Sequence, residues 1–183
     1  FSPIILSATA TGLMWYFILL PGTGVLSSLL NAIGLSSWDR NWLVDKGVAF
    51  NSVIVVNSWC WAGYYMIILY AAITSISQDV LEAAKIDGST GFHRVRKIII
   101  PMIWPVIIVT IVLQITGNLK AFDIIWVMTK GGPFYQNNVL TTLLYARMKE
   151  YNYGLANALS VIIFVISFVF TGISLKFMNR KDY

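Results

Sequence analysis

The chain of 183 residues is 57% hydrophobic and 11% charged, with a mean hydropathy of +0.72 and a net charge of +5. Soluble domains carry roughly 25% charged residues, so this composition excludes an ordinary water-soluble domain. The lone cysteine, Cys60, excludes a disulfide framework and a Cys-x-x-Cys site, and the basic surplus lies in short segments beside apolar runs, not in the stripe that nucleic acid requires.

The apolar residues gather into four runs, Ile4 to Leu20, Val48 to Ile73, Ile98 to Gly117 and Leu155 to Leu175, none of which contains Asp, Glu, Lys, Arg or His. About 20 apolar residues in a helix cross a hydrocarbon core of about 30 Å, and a charge at its centre costs about 2.5–3.5 kcal/mol. The expected fold is therefore all-α: a polytopic helical membrane protein surrounded by lipid, with four transmembrane helices in these residues. Phe1-Ser2-Pro3 supplies neither Met nor a basic leader, so the start reads as internal, with spans expected upstream. Lys85, Arg94, Arg96, Lys97, Lys176, Arg180 and Lys181 fall on one side of this topology, and Arg40, Lys46, Lys120, Lys130, Arg147 and Lys149 on the other. Seven basic residues against six are too even to orient the chain.

After the first span, Pro21-Gly22-Thr23-Gly24 marks a turn, followed by a mildly apolar stretch to Ile33 and by Trp38 and Trp42, whose rings suit headgroup depth. The second span places Asn57, Trp61, Tyr64 and Tyr65 roughly on one side. Charges are then dense from Thr74 to Lys97. Ile76, Val80 and Ala83 or Ala84 recur at helical spacing opposite Asp79, Glu82 and Lys85, which predicts a short amphipathic helix capped by Ser77 and closed by Gly88. Ser89 or Thr90 then opens a second helix with Phe92, Val95 and Ile99 on one face and Arg94, Arg96 and Lys97 in water, and Pro101 stands at the entry of the third span.

The third span carries Thr110, Gln114 and Asn118 at intervals of four, hence on one face. Such groups either line a path for a hydroxyl-rich solute or hydrogen-bond neighbouring helices, and both readings stay open. Between Leu119 and Gly154 two short apolar stretches, Phe122 to Met128 and Val139 to Met148, are split by Lys130-Gly131-Gly132-Pro133. Short helices or extended pieces on the surface opposite the charged loop are expected, with Arg147, Lys149 and Glu150 on a solvated face or against a soluble partner. Ser160, Ser167, Thr171, Gly172 and Ser174 in the fourth span suit close packing against another helix.

Gly88-Ser89-Thr90-Gly91 is not a phosphate-binding loop, since Phe92-His93 follows where Lys and Ser or Thr would stand. No ATP hydrolysis, catalytic residue, metal or cofactor is expected in this chain, and His93 reads as a surface residue.

The sequence Glu82-Ala83-Ala84, three residues, Gly88, nine residues, Ile98-Ile99-Ile100-Pro101 resembles the EAA loop of ATP-binding cassette importer permeases, the binding-protein-dependent inner membrane components. Ile100 departs from the leucine usual there. Phe122-Asp123 through Thr129-Lys130-Gly131-Gly132-Pro133, and Tyr153 to Ser160, are similar to the carbohydrate-uptake subfamily of the maltose-transporter type. The resemblance covers nearly the whole chain and implies the C-terminal part of a permease with at least two further spans upstream. It implies a coupling loop at 76–97 in which Glu82, Ala83, Ala84, Asp87 and Gly88 dock into an ATPase subunit, and a substrate pathway including Tyr64, Gln114 and Asn118. It further implies a second permease subunit, a dimer of ATPase subunits that binds ATP and Mg, an extracytoplasmic solute-binding protein, a sugar substrate, and a bacterial inner membrane with the loop and C-terminus cytoplasmic. The rival readings are the same importer for a noncarbohydrate solute such as a glycerophosphodiester, an ion-coupled carrier, and a scaffold without cargo.

Overall fold

The computed structural model describes residues 2–132 and 138–178, and every regular element among them is helical. In chain order these are a 3₁₀ turn (Ser2–Ile5), α1 (Ala8–Ile18), α2 (Val25–Ala32), a second 3₁₀ turn (Ser36–Trp38), α3 (Ala49–Thr74), α4 (Gln78–Ile86), α5 (Gly91–Arg94), a π-helical turn (Val95–Ile99), α6 (Ile100–Met102), α7 (Trp104–Leu119), α8 (Asp123–Thr129), α9 (Leu140–Lys149) and α10 (Tyr153–Met178). Pro133, Arg180 and Lys181 lie outside the described residues. Packing divides the chain into two units: the stretch up to residue 63 with 117–167, and 64–116 with the stretch from 168.

Two of the four expected spans form as single helices. α3 has 26 residues, and α10 has 22 as far as Ser174, lengths of about 39 and 33 Å at 1.5 Å per residue. Only 17% and 22% of their apolar windows are buried within the chain, and Val55, Met66, Phe164 and Phe168 stand exposed. Hydrocarbon solvates such faces, whereas in water they would associate.

The other two runs depart from a simple span. Ser7 is extended (φ −62°, ψ 144°) and its Oγ accepts the Ala10 N–H at 3.1 Å, so α1 starts only at Ala8. Its 11 residues rise about 17 Å, short of the bilayer core. The third run is broken at Ile103: the segments Gly91–Met102 and Trp104–Leu119 meet at 73°. Pro105 explains the break. It occupies the first turn of α7, where a fixed φ and a missing N–H are tolerated, and it leaves the Pro101 carbonyl without its i+4 donor.

A further departure concerns α8, expected on the surface. In the first unit Ile124, Ile125 and Met128 of α8 are buried with Leu19, Leu43, Val53, Val56 and Cys60. The contact is possible because α1 presents buried Thr11 and Gly12; a Cβ on Gly12 would stand 2.9 Å from Val127 Cγ1. Trp15 of α1 also meets Trp59 of α3 edge to face at 5.4 Å. The connection after α1 is tied by Ser27, fully buried, whose Oγ accepts the Gly22 N–H at 3.1 Å and donates to Asp39 Oδ1 at 2.8 Å.

Gly12→Val places methyl groups where Val127 already packs. It is expected to destabilise the protein by about 1–3 kcal/mol, read as a lowered unfolding temperature of the purified protein in detergent, with Gly12→Ala less affected.

Candidate functional site

The charged loop lies in the second unit, and α4 is its clearest object. Ser77 takes the extended N-cap conformation, although its side chain makes no capping bond. Asp79 in the first turn and Lys85 in the last complement the helix dipole. The C-terminus is a Schellman motif: Gly88 adopts φ 75°, its N–H bonds to Lys85 C=O at 3.1 Å, and the Ser89 N–H bonds to Ala84 C=O at 2.9 Å. Nothing lies within 4 Å of a Cβ built on Gly88, so backbone conformation alone favours glycine there.

The buried face of α4 differs from the sequence expectation. Ala84 is buried and Leu81 half-buried, whereas Val80 and Ala83 are exposed. The two alanines of the triplet therefore act differently. Ala84 seats the helix on its own chain, and Ala83 leaves a shallow place beside Glu82 on the outer face. Ile86, 86% exposed, completes that face; Asp79, Glu82, Ala83 and Ile86 have the i, i+3, i+4, i+7 spacing of one helix side. Sequence reasoning passed over Ile86, and its i+4 relation to Glu82 was the available signal. Among the described residues Glu82 makes no ion pair or hydrogen bond. An uncompensated carboxylate beside a methyl and a bare isoleucine is suited to a cationic side chain set in an apolar socket. Asp87 and Gly88 are exposed at the helix end.

The segment from Gly91 to Met102 corrects a second expectation. Phe92 is 78% exposed and Val95 is exposed, while Ile99 is half-buried, so the apolar face of Phe92, Val95 and Ile99 is only partly covered among the described residues. Arg94 is half-buried, with its Nε unpartnered.

The polar groups of the spans are brought together selectively. Asn57 Nδ2 donates to Asn118 Oδ1 at 2.9 Å, joining α3 to the end of α7 within the first unit. Thr110 is buried and its hydroxyl bonds to Val106 C=O of its own helix at 2.7 Å, which removes it from any lining. Tyr64 is exposed and meets Tyr65 edge to face at 5.3 Å. Gln114 is half-buried and makes no hydrogen bond among the described residues. Also in the first unit, Phe122 stacks on Trp126 at 5.7 Å, Tyr145 closes on both at 5.1 and 4.8 Å, and Lys149 Nζ stands 5.1 Å from the Tyr145 ring centroid. This aromatic cluster joins α8 to α9 across the turn in which Lys130, Gly131 and Gly132 all take positive φ.

A family model described as "Binding-protein-dependent transport system inner membrane component" matches residues 2–181. The chain belongs to that family. It is 33% identical over 180 residues, 98% of its length, to the probable ABC transporter permease protein YurN of Bacillus subtilis, spanning 62% of that protein. It is 33% identical over 174 residues, 95% of its length, to the trehalose/maltose transport system permease protein MalF of Thermococcus litoralis, spanning 57% of it. A crystal structure of a bacterial ABC transporter involved in the import of the acidic polysaccharide alginate matches with a TM-score of 0.88 at 26% identity, over 100% of this chain and 64% of the solved one. The chain thus spans about three fifths of the length of the permeases it resembles.

If the Asn57–Asn118 bond joins the helices, a double-mutant cycle with Asn57→Ala and Asn118→Ala will give a coupling of about 0.6 kcal/mol in unfolding free energy. A coupling of zero would leave both amides to a ligand.

Proposed function

We propose that this chain is part of the permease subunit of an ATP-driven, binding-protein-dependent importer for a sugar or oligosaccharide. The observation that carries the reading is the outer face of α4: Glu82, without an ion pair among the described residues, beside exposed Ala83 and Ile86, on a helix closed at Gly88. Such a face serves an arginine-bearing groove on a separate ATPase subunit, which binds ATP and Mg. A desolvated carboxylate–guanidinium bond there contributes about 1.5–3 kcal/mol. With a second permease subunit and two ATPases, closure of the ATPases on ATP moves the loop, and the loop moves the spans. An extracytoplasmic binding protein delivers the solute, in keeping with the family's description.

In this reading the chain crosses the bacterial inner membrane several times with the α4 loop and C-terminus cytoplasmic. Tyr64, Gln114 and Asn118 are placed on the solute's path. Asn118 is exposed, and its bond to Asn57 uses only its carbonyl, leaving the amide N–H groups for a sugar hydroxyl; Tyr64 supplies a ring face. The carbohydrate assignment is supported by the trehalose/maltose and alginate transporters to which the chain is similar.

Glu82→Lys is expected to abolish co-purification of the ATPase subunit and solute uptake, while Glu82→Gln weakens both about ten-fold or more, from the loss of a charge-assisted bond. Gly88→Val, which forces a β-branched residue into the left-handed region at about 1–2 kcal/mol, should impair assembly, and Gly88→Asn should not. Unchanged assembly and uptake in Glu82→Lys and Gly88→Val would overturn the coupling role. Asn118→Ala and Tyr64→Ala should lower uptake at least several-fold with the ATPase still bound; growth on single carbon sources identifies the solute, and growth defects confined to noncarbohydrate solutes would overturn the sugar assignment.

A further inference from the structure

The segment from Gly91 to Met102 carries two kinds of exposed side chain on one short stretch. Phe92, Val95, Ile100 and Met102 are exposed, and so are His93, Arg96 and Lys97. It meets α7 at 73°. When α7 crosses the hydrocarbon, the segment lies nearer the membrane plane than the membrane normal, the setting of an interfacial amphipathic helix with cations at headgroup depth.

Within this segment Phe92, His93, Arg96 and Lys97 border an open cavity of about 420 Å³, toward the lower end of the roughly 300–1,000 Å³ of small-molecule sites. The π-helical turn sits at its edge: the Ile100 N–H bonds to Val95 C=O, five residues back. This wider coil is uncommon and recurs at functional sites. Here both Arg96 and Lys97 face the same hollow as Phe92. Among the described residues neither Arg96 nor Lys97 has an ion-pair partner, so two cations without an ion pair there stand on the cavity wall.

We propose that this cavity binds the phosphodiester headgroup of an anionic membrane lipid. The guanidinium of Arg96 offers a planar fork for two non-bridging oxygens, and the ammonium of Lys97 adds a point charge. Phe92 packs against the glycerol and upper acyl chain. A zwitterionic phosphatidylethanolamine brings its own ammonium to these cations and is disfavoured, so the site selects lipids of net negative charge such as phosphatidylglycerol. The inference requires α7 to cross the bilayer; it does not depend on the solute or on how Glu82 is used.

The test is lipid retention. The transporter containing the full permease is reconstituted in nanodiscs of equal phosphatidylglycerol and phosphatidylethanolamine, extracted in neutral detergent, and its bound lipids are counted by native mass spectrometry. Arg96→Gln with Lys97→Gln should weaken phosphatidylglycerol retention about twenty-five-fold, roughly five-fold for each cation removed, and Arg96→Lys should preserve most of it. The control Lys46→Gln with Lys120→Gln, at exposed positions elsewhere, should retain lipid as the parent does. Equal loss in both double variants would mean a general charge effect and overturn the proposal. So would phosphate ions binding the lipid-free protein and displacing phosphatidylglycerol. The same holds for an Arg96→Gln, Lys97→Gln variant that keeps its lipid and sheds the ATPase subunit, which would assign the cavity to a protein contact.

Discussion

An ionised group in hydrocarbon costs several kilocalories per mole, and a backbone amide there has no water to turn to. That pair of penalties arranges most of what is observed in this chain. The apolar runs contain no ionised residue, the regular structure among the described residues is helical, and the charges collect where the chain leaves the lipid. The hydroxyls within the helices obey the same pressure: Thr110 and Thr116 bond back to carbonyls four residues earlier at 2.7 Å. A serine or threonine in a span is therefore no evidence of a solute path until its own carbonyl has been ruled out as the partner.

The two asparagines at 57 and 118 illustrate the harder case. Each has more hydrogen-bonding capacity than one mutual bond consumes. A pair of this kind can tie two helices and still present polar atoms outward, so packing and recognition need not be alternatives at a single residue. The aromatic cluster of Phe122, Trp126 and Tyr145 adds to the apolar burial of α8 and ties it to α9, two helices of only 7 and 10 residues. Isolated helices of that length are unstable, and tertiary contact supplies the difference.

Much of this was legible in the residues. The α3 and α10 spans follow from uninterrupted apolar length, and the end of α4 follows from Gly88, whose preference is local, whereas Ser77 stands at the N-cap without the capping bond its hydroxyl offers. Orientation was less legible. An amphipathic pattern tells which side of a helix is greasy, but not whether its own chain covers that side. Val80 and Ala83 are exposed for that reason, Ala84 is buried, and Phe92 is uncovered. The burial of α8 depends on the missing side chain of Gly12, more than a hundred positions away in sequence, a relation that periodicity cannot carry. The break at Ile103 was written in Pro101 and Pro105, two prolines four apart, yet apolar composition alone made that run look continuous.

The angle between Gly91–Met102 and α7 has a mechanical corollary. A straight rod pushed at its end transmits thrust along its length; a bent one converts the same push into a torque about the corner. In the proposed coupling, the corner at Ile103 is the point about which a sideways shift of the segment beyond α4 would turn α7.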